Sequence, residues 1–173
     1  MAVLFVAASV AKAQKLVVDV DESVDFRTFK SFGWSPGQIA PKATTSQFII
    51  NAIESELKAR GLTRNDTAPD IRIVVMAAAG LDLQGIGPTW NNESYKSWGG
   101  YGNPAALMTV AKGTLLIDLL EATKNHSIWR GVAKDIFLVP TTGNLEKDAR
   151  QMESLVNKSV GKMFKKYPVK AGK

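Results

Sequence analysis

The chain has no cysteine among its 173 residues. That excludes disulfides, thiolate metal sites, a cysteine nucleophile and thioether lipidation. Histidine is almost as scarce. His126 stands alone, which rules out a histidine-rich metal cluster and leaves few ways to build a triad. No apolar run reaches the roughly 20 residues that a bilayer-spanning helix needs, so no transmembrane segment is expected. The nucleotide motifs are missing too. There is no Walker loop, and Gly85 and Gly87 run into Pro88, Thr89 and Trp90, so the dinucleotide fingerprint fails at its third glycine. No G-x-S-x-G elbow occurs. The expectation is a protein that is not an enzyme and carries no cofactor and no metal.

What is present suffices for one folded domain. The chain is 45% apolar and 22% charged, which argues against disorder. A chain of this length buries roughly 70% of its unfolded surface, so no disulfide or metal staple is required. Positive charge dominates, with 22 Lys and Arg against 16 Asp and Glu.

Residues 2–10 read AVLFVAASV, followed by Ala11-Lys12-Ala13 and Gln14. A short apolar stretch ending in A-x-A is the pattern of a secretory signal, although no Lys or Arg precedes the run. Residues 1–13 are therefore expected to be a signal peptide, truncated or degraded at its start. The mature domain would cover 14–173, its net charge falling from +6 to +5. Position 14 is Gln where a lipoprotein needs Cys, so the sequence as it stands gives a periplasmic or otherwise exported protein without a lipid anchor.

Along the chain, Lys15 to Asp21 alternates as a half-buried strand. Phe26, Phe29, Phe32 and Trp34 crowd together, and Phe32 and Trp34 share one face of a second short strand. Thr44 to Gly61 reads as an amphipathic helix with Ile49, Ile53 and Leu57 inward, Glu54 paired to Lys58, and Gly61 as its left-handed cap. Ile71 to Met76 is a buried strand. Residues 77–107 form a long loop rich in glycine and aromatics, with Trp90, Tyr95, Trp98 and Tyr101. Two strand candidates, 109–120 and 127–139, flank a polar hairpin turn. Asn144 caps a last helix whose apolar positions are Leu145, Ala149, Met152, Val156, Val160 and Met163. The order β-β-α-β-(long loop)-β-β-α predicts an α+β fold: a two-layer arrangement of an antiparallel sheet with two helices packed on one face.

Candidate chemistry is thin. His126 falls in the hairpin turn, where a solvated role is expected. Asp118 and Glu121 lie on opposite faces of one strand, which argues against paired acid–base work, and Asp82 stands apart near the long loop. Two recognition surfaces remain. Trp90, Tyr95, Trp98 and Tyr101 offer stacking area among flexible glycines, suited to a glycan or an apolar ligand such as a lipid. Lys158, Lys162, Lys165 and Lys166 crowd the last helix, either as a solvated face that complements its dipole or as a contact for an anionic envelope component. Nucleic acid is not an expected partner, because the basic residues are mainly lysines and the aromatics sit elsewhere.

Five segments in order resemble one bacterial family. They are Asp25 to Trp34 (DFRTFKSFGW), Leu57 to Leu62 (LKARGL), Pro69-Asp70-Ile71, Gly113 to Leu119 (GTLLIDL) with Ile128 to Gly131 (IWRG), and Phe164 to Pro168 (FKKYP). Together they resemble domain of unknown function 4136 over about residues 15–168. The resemblance implies an exported envelope protein, often lipidated in relatives, with no catalytic residues to transfer. The motif residues read as structural: large aromatics for a sheet–helix core, Gly61 as a cap, and Gly131 as the site of a bulge. The expected role is a non-enzymatic one, through contacts with an envelope protein or an anionic envelope component. The alternative is a small-ligand module using the aromatic loop.

Overall fold

A computed structural model describes residues 16–36, 39–40, 42–78, 113–137 and 141–172. The elements are β1 (Leu16–Val20), a 3-10 turn (Phe26–Thr28), β2 (Ser31–Trp34), α1 (Ala43–Lys58), β3 (Thr63–Arg64), β4 (Ile71–Ala78), β5 (Thr114–Glu121), β6 (His126–Ala133) and α2 (Leu145–Phe164). The expected signal peptide lies outside the described residues, as does most of the long loop. Its first two residues, Ala77 and Ala78, continue β4.

The six strands form one sheet in the order β1-β6-β5-β4-β2-β3. Four of them, β1, β6, β5 and β4, pair antiparallel. At the other edge β2 runs parallel to both β3 and β4, which makes the sheet mixed. The cause is α1. It connects β2 to the strands after it, and a helical crossover brings the chain back in the same direction, where a hairpin would reverse it. The two-residue β3 carries no apolar period of its own and is defined only by its pairing with β2.

Helix and strand ends follow local chemistry. The turn after α1 has Gly61 N–H bonded to Lys58 O (2.9 Å) and Leu62 N–H to Leu57 O (3.2 Å), with Gly61 at φ +85°. That pair of bonds closes a helix by the Schellman arrangement, which needs a left-handed residue at the glycine position. Asn144 accepts from Lys147 N–H (3.0 Å) and starts α2. Arg60 donates to Phe164 O (2.7 Å), and Gly172 N–H to Ala59 O (2.8 Å). The C-terminal ends of the two helices therefore lie side by side, and the helices run parallel.

The core fills the space between the helices and one sheet face. Ile71, Ile73, Leu115, Ile117, Leu119 and Trp129 meet Ile49, Ile53, Leu57, Val156, Val160 and Phe164, all fully or almost fully buried. Period-two alternation puts Val74, Met76, Leu116 and Leu120 on the opposite face, and they are buried as well. The centre of the sheet is apolar on both sides.

A bulge interrupts β6. Leu120 pairs with Ser127 but Leu119 pairs with Trp129, leaving Ile128 as the extra residue. Ile128 and Trp129 are both buried in the core. Sequence reading expected the bulge at Gly131, but that glycine serves a different end. A Cβ there would stand 2.6 Å from Met163 Sδ and 2.7 Å from Trp129 Cη2, so its missing side chain is the room those groups occupy.

Candidate functional site

The aromatic loop residues Trp90, Tyr95, Trp98 and Tyr101, and Asp82, lie outside the described residues. Lys158, Lys162, Lys165 and Lys166 are all exposed along and just beyond α2. His126 opens β6, exposed, with Nε2 3.2 Å from Asp21 Oδ2. Glu121 binds Lys124 (3.0 Å) and shares no site with Asp118.

The polar cluster whose partners the sequence does not announce is at mid-sheet. Asp118 is completely buried, in a strand otherwise filled by Thr, Leu and Ile up to its last residue. Its Oδ1 accepts from Ser127 Oγ (2.5 Å) and its Oδ2 from Arg130 (2.9 Å). Ser127 and Arg130 are three apart and would face opposite ways in a regular strand. The bulge at Ile128 turns both toward one carboxylate. Burial pushes the Asp118 carboxyl above the ordinary aspartate range, and Arg130 and Ser127 only partly offset it. Both carboxylate oxygens are occupied by groups of the neighbouring strand, so the cluster fixes the register of the β5–β6 hairpin. A lone carboxylate in the middle of an otherwise apolar strand is the signal that a buried partner must exist, though it does not say which residue supplies it.

A second buried carboxylate, Glu54 of α1, holds the other sheet edge. It accepts from Trp34 Nε1 (3.1 Å), Lys58 Nζ (2.7 Å) and Arg64 (2.7 Å). Arg64 also donates to Asp66 (2.8 Å), which in turn accepts Trp34 N–H (3.1 Å). Burial works to raise the Glu54 pKa. Hydrogen bonds from Lys58 and Trp34, with the charges of Lys58 and Arg64, outweigh it and hold the carboxyl below the usual glutamate range.

Several other motif residues are held by the scaffold. Asp70 accepts from Lys30 N–H (2.8 Å), Ser31 N–H (2.9 Å) and Ser31 Oγ (2.9 Å), and its own N–H returns a bond to Ser31 Oγ (3.0 Å). Asp25 caps the 3-10 turn through Arg27 N–H (3.1 Å). A Cβ on Gly33 would fall 2.8 Å from Asn65 O. Phe26, Trp129, Phe164 and Tyr167 form one aromatic cluster, with Phe26 edge-on to Tyr167 at 5.2 Å and Trp129 tilted on Phe164 at 4.9 Å. Arg60 lies over Phe164 and Tyr167 and is bound to Glu56 (2.6 Å). The Tyr167 hydroxyl and Trp129 Nε1 are buried without hydrogen-bond partners, and burial drives the phenol far above its ordinary pKa.

A shallow groove of about 340 Å³ runs between the outer faces of the helices, lined by Asn51, Ser55, Glu56, Glu153 and Asn157 among others. Among the described residues no three His, Asp or Glu side chains gather in a metal-holding group. None of the described helices is long and apolar enough to cross a membrane.

The family described as Domain of unknown function (DUF4136) matches residues 16–169 of this chain. No curated protein matches its sequence. Among solved structures, a PDZ domain protein from Parabacteroides distasonis is similar at 18% identity and a TM-score of 0.53, over 91% of this chain and 36% of that one. This chain thus spans well under half of that protein, and the likeness is one of fold. A PelC dodecamer from Paraburkholderia phytofirmans aligns at 9% identity and a TM-score of 0.43, over 87% of this chain and 96% of the other.

Proposed function

The chain belongs to the DUF4136 family, and from that premise we propose that it is an exported cell-envelope protein that works without catalysis, through contacts with an envelope protein or an anionic envelope component. The observation that carries this reading is where the motif residues go. Ser31, Gly33, Trp34, Asp70, Asp118, Trp129, Arg130, Gly131 and Tyr167 each face another part of the chain's own scaffold. What the motifs have in common is therefore a shape to be presented. Function then belongs to what that shape displays outward, and among the described residues the lysines along and just beyond α2 are part of that display.

Export rests on the apolar residues 2–10 and the small residues at Ala11 and Ala13. Intact mass measured separately on cytoplasmic, periplasmic and membrane fractions tests it. The expected species is periplasmic and begins at Gln14. An uncut cytoplasmic species would overturn the reading. Crosslinking in intact cells tests the contact itself, with capture of a reproducible envelope partner weakened in Lys165→Glu/Lys166→Glu.

A further inference from the structure

Six exposed residues form one ridge along α2 and its C-cap: Lys147, Gln151, Ser154, Lys158, Lys162 and Lys165. Their spacing of three and four keeps them on a single side of the helix, about 27 Å long at 1.5 Å per residue. That side is opposite the buried Val156, Val160 and Met163, so the ridge points straight away from the core. It holds four lysines and no carboxylate. The acids of α2 are all engaged off the ridge: Glu146 with Arg150 (3.4 Å), Asp148 with Thr142 (2.7 Å), and Glu153 in the groove toward α1. Among the described residues, no salt bridge involves any ridge lysine.

Complementing the helix dipole does not account for this ridge. A dipole acts within the first and last turns, which suits Lys162 and Lys165 at the C-terminal end. Lys147 sits in the first turn, where a cation is disfavoured, and Lys158 lies before the last turn. The pattern follows the outward face and not the helix end.

We propose that this ridge adsorbs to an anionic phospholipid surface. The inference rests on the envelope reading and names the component contacted. The ridge is the outward side of a helix packed on the core, and that convex surface offers little to grip an extended peptide. Its cations are lysines, which act as point charges and lack the fork that arginine uses for planar ligands. A broad layer of headgroup phosphates needs only charge facing charge. The apolar face of α2 is already buried in the core, so the contact is adsorption without insertion and is sensitive to salt.

Co-sedimentation of the full chain with vesicles tests this. Vesicles of phosphatidylcholine alone are compared with vesicles mixed with phosphatidylglycerol, at low and at physiological salt. Binding is expected only to the anionic vesicles, and each of Lys158→Ala and Lys162→Ala should weaken it about fivefold, the worth of one lysine near such a surface. Lys134→Ala, an exposed lysine after β6, serves as the control and should leave binding unchanged. Circular dichroism confirms that each variant is folded. Equal binding to neutral vesicles, ridge variants that bind like the parent chain, or an equal loss in Lys134→Ala would each overturn the proposal. The fractionation experiment remains a separate test of the envelope reading, so the two fail independently.

Discussion

Two buried carboxylates hold this fold, one at an edge of the sheet and one at its centre, and burial treats them differently. Glu54 sits at the β2–β3 corner with three donors, two of them cations. Asp118 sits at mid-sheet with one cation and one hydroxyl. Glu54 is held below the usual carboxylate range and Asp118 is pushed above it. The comparison shows that being buried does not decide the sign. What decides it is how many donors remain after water is removed, and how deep the group lies. Glu54 retains a rim of solvent, with 12% of its side chain exposed against 0% for Asp118.

Removing the arginine at mid-sheet should give the largest effect. Arg130→Ala leaves the Asp118 carboxylate buried with only Ser127, a loss of about 3–5 kcal/mol in urea unfolding. Arg64→Ala, at the corner, leaves Glu54 with Lys58 and Trp34 and should cost far less, because Arg64 is half-exposed. The double variant Asp118→Leu/Arg130→Met sharpens the point. Val74, Leu116 and Leu120 on the same face are apolar and buried, so replacing the pair by apolar side chains should be neutral or stabilising. A double variant as unstable as Arg130→Ala would mean that the pair stabilises the fold beyond setting its register.

How far these two sites can be read in the sequence differs for a physical reason. The helix carrying Glu54 shows its apolar period, its cap at Gly61 and the Glu54–Lys58 pair without any structure. Trp34 and Arg64 arrive from separate segments, and only the parallel crossover around α1 brings them to Glu54. The β5–β6 hairpin is equally visible, with Leu115, Ile117 and Leu119 on one face. Its polar pair is not. Counting back from Glu121 opposite His126 in a regular hairpin sets Asp118 against Trp129, and the bulge at Ile128 moves the partner to Arg130. A one-residue slip changes every partner beyond it, and no local signal at Ile128 announces it. The parallel edge was hidden for a related reason, since β3 is two residues long and exists only through pairing.

The opposite pKa shifts give opposite slopes of stability with pH. Glu54 is depressed, so its contribution is present above the ordinary glutamate value of 4.5 and is lost as pH falls through its folded pKa. Asp118 is raised, so its folded state is favoured below the ordinary aspartate value of 3.8 and loses stability as pH rises through its folded pKa. The gap in stability between the parent and Glu54→Gln, about 1–2 kcal/mol near neutral pH, should therefore shrink on acidification. Asp118→Asn should become relatively more stable as pH rises. Slopes of the same sign in the two variants would end the comparison.

The smallest effect distinguishes the donors within the corner. Lys58 is 55% exposed and pairs with Glu54 one helical turn away, so Lys58→Ala should cost only about 0.3–0.5 kcal/mol and lose that effect in high salt. Trp34→Phe keeps most of the ring in place but removes the Nε1 donor from the same oxygen that Arg64 uses. Its donor is uncharged and the bond to the carboxylate is partly buried, so its loss should be larger than that of Lys58 and far less sensitive to salt. If salt erased both effects equally, the corner would be held by charge alone, and Glu54 would be depressed by its cations rather than by the number of its donors.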